Sequence, residues 1–141
     1  MVKARTFQPE DLYRIASLRE IDAATVDTST AVSMASRGPC WTFESGGRVL
    51  GVGGFIMGDN GWARLWGLVS DHMSRQEGVA ATLLAARLVR QVRWLGAERI
   101  EALTEEGWHQ GERTLRLLGF DPGDNVIPYM SHEYRVWERA A

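Results

Sequence analysis

Between residues 62 and 95 the hydrophobic period changes from that of a strand to that of a helix, and the change falls on a short polar turn. Trp62 to Val69 reads as a strand. Beyond it Val79, Leu83, Leu84, Leu88, Val92 and Leu95 recur at three- and four-residue spacing, while Arg87, Arg90 and Arg93 fall elsewhere. The helical pattern takes over at Gly78, and Gly96 suits its C-terminal cap. Strand, tight turn, glycine and long helix together make an anion site. The first turn of a helix leaves backbone N–H groups unpaired, and the helix dipole adds partial positive charge there. Gly78 lets a phosphate approach the backbone, Ala80 is nearly as small, and Arg75 adds a full positive charge at the rim.

The rest of the chain supplies an α/β context. Val2 to Phe7 alternates as a first strand, and Pro9 to about residue 21 is expected to form one amphipathic helix carrying Leu12, Ile15, Ala16, Leu18 and Ile21. A shorter helix is expected from Thr30 to Ser36. Cys40–Glu44 and Arg48–Met57 read as a hairpin about Ser45-Gly46-Gly47, and Gly58–Gly61 turns the chain into the strand from Trp62. After the long helix come a strand from Arg99 to Thr104 and a helix from about Trp108 to Leu118, stopped by Gly119. A short extended piece follows, broken at Pro122-Gly123, and then a final strand from Tyr129 to Trp137. Glu138 to Ala141 reads as a loose tail.

At 141 residues the chain is expected to be one domain, residues 1–141. A net charge of -2 points to neither nucleic acid nor an anionic membrane surface. The single cysteine, Cys40, makes no internal disulfide, and no metal is expected. No secretory signal follows Met1, and no apolar run reaches the length of a membrane span, so a cytoplasmic location is expected. Six tryptophans are many for this length. Trp62, Trp94 and Trp108 beside turns and arginines would suit a protein partner, and the final strand with Trp137 would support a homodimer.

Arg75-x-x-Gly78-x-Ala80, followed by Leu83-Leu84, resembles motif A of the GNAT (GCN5-related N-acetyltransferase) superfamily, Arg/Gln-x-x-Gly-x-Gly/Ala. Leu117-Leu118-Gly119-Phe120 resembles the end of its motif B, and the order of elements over residues 2 to 137 resembles that fold. The resemblance implies an α/β (α+β) fold. Its sheet is mixed, mostly antiparallel, of six to seven strands, splayed after the fourth and flanked by about four helices. It implies acetyl-CoA or another acyl-CoA as donor and an amine, of a small molecule or a protein, as acceptor. The pantetheine arm would run along Leu68, Val69 and Ser70, one of whose N–H groups would polarise the thioester carbonyl. The pyrophosphate would take the amides of Gln76, Gly78, Val79 and Ala80 with Arg75 as charge partner. Glu77 departs from the pattern, since a carboxylate there repels phosphate unless it turns away.

Catalysis needs a base for the amine and an acid for the departing thiolate. The tyrosine that many members carry four residues before the motif B glycine is replaced by Leu115, and Ala63 to Val69 holds no carboxylate. The candidates that remain are Ser70 at the end of the strand, His109 at the start of a helix and Tyr129 on the last strand. A narrower resemblance also exists. Leu50-Gly51-Val52-Gly53-Gly54, Trp66-Gly67-Leu68-Val69-Ser70 and the Leu115–Phe120 helix end are similar to GNAT-like internal virion or assembly proteins of tailed bacteriophages. It implies a scaffold with a phage or host protein partner, located in the host cytoplasm or the virion.

Overall fold

The computed structural model describes residues 1–15, 17–27 and 30–141. Seven strands form one mixed sheet in the order β1-β2-β3-β4-β5-β7-β6, and four α-helices are present among the described residues. The chain forms two compact units, residues 1–56 with 66–84 and residues 57–65 with 85–141.

In the first unit, β1 (Lys3–Thr6) pairs antiparallel with β2 (Cys40–Ser45), which pairs antiparallel with β3 (Arg48–Met57). The two-residue turn Gly46-Gly47 takes positive φ at both positions, 57° and 78°, which only glycine adopts without cost. The segment expected as one helix from residue 9 to 21 is instead a 3-10 turn at Pro9–Tyr13 followed by a separate helix, α1 (Glu20–Asp27). Ala16 lies outside the described residues. The cause is polar. Asp11 is buried and its carboxylate accepts from Arg5 Nη1 and Nη2 at 2.9 and 2.8 Å, Thr42 Oγ1 at 2.6 Å and the Gln8 N–H at 2.9 Å. These bonds tie the turn to the strands, and Ile15 then bridges to Val49 in extended form. Ser17, at φ 57°, bars any continuous helix. Leu12, Ile15 and Val26 are nonetheless buried, in one cluster with Ala31 of α2 (Thr30–Ala35), Val49, Val52, Trp66 and Leu68.

The fourth strand, β4 (Trp62–Val69), and the long helix α3 (Arg75–Gln91) each contribute residues to both units. α3 begins three residues earlier than the periodicity predicts and ends at Gln91. A 3-10 turn, Val92–Leu95, and Gly96 at φ 95° close it. Its apolar residues do not share one face. Val89 and Val92 are buried, whereas Val79, Leu83 and Leu95 are exposed.

In the second unit, Trp62–Leu65 of β4 pairs parallel with Arg99–Ala102 of β5 (Arg99–Glu105), and the ladder ends there. β7 (His132–Ala140) runs antiparallel to the whole of β5, from Arg99↔Ala140 to Glu105↔Tyr134. Glu138 to Ala140 therefore belong to a strand, not to a loose tail. Pro122-Gly123 does not break the chain either. Both lie in β6 (Asp121–Tyr129), the edge strand of the sheet, where a proline costs no interior hydrogen bond and an irregularity between Pro122 and Val126 absorbs the change of register. Tyr129 accordingly ends β6 rather than starting the last strand. α4 (His109–Leu117) contributes buried Leu115, and Leu118, Phe120, Ile100, Ala102, Val136 and Trp137 are buried in the same unit. Arg116 lies over the Trp137 ring at 5.1 Å.

Candidate functional site

The turn that joins β4 to α3 is built from short-range hydrogen bonds. Ser70 is buried; its N–H donates to Leu50 O at 2.8 Å, and its Oγ accepts from the His72 N–H at 3.1 Å. The Asp71 N–H donates to Ser17 O at 3.0 Å. Ser74 then caps α3. Its Oγ accepts from the Glu77 N–H at 3.1 Å, while Glu77 Oε1 accepts from the Ser74 N–H at 3.0 Å. This is a capping box, which satisfies two otherwise orphan donors reciprocally. It explains both the early start of α3 and the presence of an acid in its first turn. Glu77 Oε2 also lies 3.5 Å from Arg48 Nη1. The Ser74 N–H foremost, then Arg48 and the Ser74 hydroxyl, hold the Glu77 carboxyl below its ordinary range against the opposing effect of burial.

The cap determines which amides are left to a ligand. Glu77 N–H is used by Ser74 Oγ, and Gly78 N–H donates to Ser74 O at 2.9 Å. Val79 and Ala80 lie deeper in α3, where N–H groups point back to carbonyls four residues earlier. The donors free of that ladder are the first two, Arg75 and Gln76. Above them the surface is open. A Cβ built on Gly78 would meet nothing within 4 Å, and Gly78 has no positive φ, so the fold itself does not require glycine there. What the missing side chain provides is access to the helix end.

The edge of β4 supplies the second element of the site. Ser70 N–H points to β3, and the carbonyls of Leu68 and Trp66 crowd Gly51 and Gly53 of β3, at 2.8 and 3.1 Å from a Cβ built there. Backbone direction alternates along a strand, so Gly67 and Val69 turn their N–H and C=O groups to the opposite edge. The ladder on that edge has ended at Leu65. Of Leu68, Val69 and Ser70, Val69 is thus the one whose main chain faces the open edge. Gly67, which sequence reading did not single out, joins it.

The structure brings Leu68, Val69, Ser70, Arg75, Gln76, Gly78, Val79 and Ala80 together in the first unit, while His109 and Tyr129 belong to the second. His109 is exposed and 3.7 Å from Glu112 on the same helix. Tyr129 packs edge-on against Tyr134, with ring centroids 5.9 Å apart. Leu115 is buried and carries no proton to give. The same unit holds a His132 Nδ1–Glu105 pair at 2.8 Å and an Arg135–Glu106 pair with contacts of 2.7 and 2.9 Å. Hydrogen bonding to Arg135 outweighs burial and keeps the Glu106 carboxyl below its ordinary range. Among the described residues no group of three or more His, Cys, Asp or Glu side chains is placed to hold a metal ion, and no helix is long and apolar enough to cross a membrane. The sequence did carry a signal for the cap, Ser74-x-x-Glu77. It carried none for Arg48, which arrives from another strand.

A mixed seven-stranded sheet, with an open strand edge leading into a capped helix whose first amides are free, defines the GNAT class of folds. Residues 7–120 match the Acetyltransferase (GNAT) family, and the chain belongs to that family. Solved structures repeat the architecture. Ard1 from Thermoplasma volcanium is 18% identical with a TM-score of 0.76, over 99% of this chain and 97% of that one. A Bacillus subtilis acetyltransferase in complex with CoA is 16% identical with a TM-score of 0.68, over 99% and 97%. The ribosomal-protein-S18-alanine N-acetyltransferase of Escherichia coli is 12% identical with a TM-score of 0.70, over 99% and 94%. At these identities the likeness is one of fold. No curated protein matches the chain in sequence.

Proposed function

We propose that the chain is an acetyl-CoA-dependent N-acetyltransferase that transfers the acetyl group directly to an amine of a small molecule or protein. The observation that carries this reading is the start of α3: two free amides, Arg75 beside them, and open space over Gly78. The GNAT family membership supports it, as does the fold shared with an acetyltransferase solved with CoA. Acetyl-CoA supplies an activated thioester. The pyrophosphate would lie on the amides of Arg75 and Gln76, with the Arg75 guanidinium as charge partner. The arm would follow the edge of β4, where the Gly67 or Val69 N–H would polarise the thioester carbonyl. The amine nitrogen attacks the carbonyl carbon; the C–N bond forms, the C–S bond breaks, the amine loses a proton and the thiolate gains one.

Ser70 Oγ is already engaged in the turn to His72, so Ser70 serves first to shape the strand end. His109 and Tyr129 are retained as candidates for base and acid. The test is acetyl transfer to a panel of amines followed by thiol release, with His109→Ala and Tyr129→Phe measured across pH. A role for either residue requires loss of one limb of the rate profile, and unchanged profiles remove both. The alternative, a phage virion or assembly scaffold without acetyl transfer, draws no support from the family or the structural comparisons. It would be preferred if the protein neither bound acetyl-CoA nor released thiol and co-purified with particles.

A further inference from the structure

We propose that Arg48 is a charge-compensating residue of the donor site, offsetting a carboxylate that the helix cap places where a pyrophosphate has to bind. The inference rests on the proposed binding of an acyl-CoA at the start of α3. Glu77 is fixed by the fold: Oε1 is held by the Ser74 N–H at 3.0 Å and Oε2 lies 3.5 Å from Arg48 Nη1. Its side chain is 18% exposed, and the same contacts favour its ionised form. A fixed negative charge therefore stands within one helical turn of the amides of Arg75 and Gln76. It competes with a phosphate for the positive helix end and repels it. The capping box alone does not require that charge, because glutamine closes the same box.

Arg48 meets this charge from a different element. It is the first residue of β3, and its second guanidinium nitrogen, Nη2, donates to His72 O at 3.3 Å. The guanidinium thus spans the turn between β4 and α3, with one nitrogen on the turn and the other toward the carboxylate. If Arg75 were the partner of Glu77, binding of the anion would draw it away and leave the carboxylate uncompensated beside the phosphates. With Arg48 on Glu77, Arg75 is left for the anion. The arrangement accounts for a motif A loop that carries an acid and still accepts two phosphates.

The alternative is that Arg48 contacts the phosphates itself, and a double-mutant cycle separates the two. Acetyl-CoA is titrated calorimetrically into wild type, Arg48→Gln, Glu77→Gln and the double variant. Glu77→Gln keeps the capping geometry, so the helix start survives. Compensation predicts that Arg48→Gln weakens acetyl-CoA binding about five-fold. It also predicts that Glu77→Gln binds as well as or better than wild type, and that Arg48→Gln costs less than about two-fold in the Glu77→Gln background. Equal losses in both backgrounds overturn the inference, as does an unchanged affinity in Arg48→Gln. If the wild type takes up no acetyl-CoA, the proposed function falls and this inference with it; that outcome is distinct because it appears before any substitution.

Discussion

The carboxylate of Asp11 accepts hydrogen bonds from a strand arginine, a strand threonine and its own turn. Burial would raise its pKa, but the bonds from Arg5, Thr42 and Gln8 outweigh it and lower the value from 3.8 to about 2. A folded-state pKa below the unfolded one stabilises the fold above about pH 4, and that contribution is lost as the pH falls toward 2. Melting midpoints should therefore drop between pH 4 and 2 in wild type and much less in Asp11→Asn. Equal slopes would contradict the account. At neutral pH Asp11→Asn should cost about 2 kcal/mol in urea unfolding, because a buried carboxylate that takes bonds from Arg5, Thr42 and Gln8 is lost and Arg5 keeps only Glu44 as its charge partner. Ser74→Ala removes the α3 cap and should cost about 1 kcal/mol. Gly78→Ala should act in two directions. It meets open space in a helix, so it should raise the stability of the free protein by up to about 1 kcal/mol. It should also weaken acetyl-CoA binding, and a variant gaining stability with undiminished affinity would show that the open surface over Gly78 is not used.

At the scale of elements, β2, β3 and β4 were legible because short extended runs between glycine turns leave little choice. α3 shows the limit of periodicity. Val79 and Leu83 lie on the face of the helix opposite Val92, and only Val92 is buried, because three- and four-residue steps interrupted at Leu83-Leu84 pass from one face to the other. The reading from Gly78 missed the helix start, whose signal was Ser74-x-x-Glu77, because Glu77 was weighed only against phosphate. The segment from residue 9 to 21 misled for a different reason: the strand partners of Asp11, Arg5 on β1 and Thr42 on β2, outweigh local helical spacing. The tip of the β6–β7 hairpin is a third case. Met130 and Ser131 both take positive φ, 47° and 65°, between paired Tyr129 and His132. Asn-Gly is the pair such a turn prefers. Replacing Met130 by Asn and Ser131 by Gly together should raise the melting temperature by a few degrees, and a fall would mean that the turn relies on these side chains.

For the molecule as a whole, β4 and α3 each run through both compact units, so neither unit owns a complete set of elements. We expect residues 1–141 to unfold in one cooperative transition, with calorimetric and van't Hoff enthalpies equal; two resolved transitions would make the units independent. The candidate donor site could be proposed from the sequence because its chemistry is local, running from Val69 to Ala80 in one stretch of chain. The proton-transfer groups could not, since they are set by which side chains distant in sequence reach the thioester. If the start of α3 binds the pyrophosphate of an acyl-CoA, a carboxylate introduced at Gly78 must abolish that binding. Titration of acetyl-CoA into wild type and Gly78→Asp, with melting temperatures recorded for both, tests it most directly. Wild type should show saturable binding and a raised melting temperature, and a folded Gly78→Asp protein neither. Absence of binding by wild type at millimolar acetyl-CoA, or equal affinity in the variant, would contradict it.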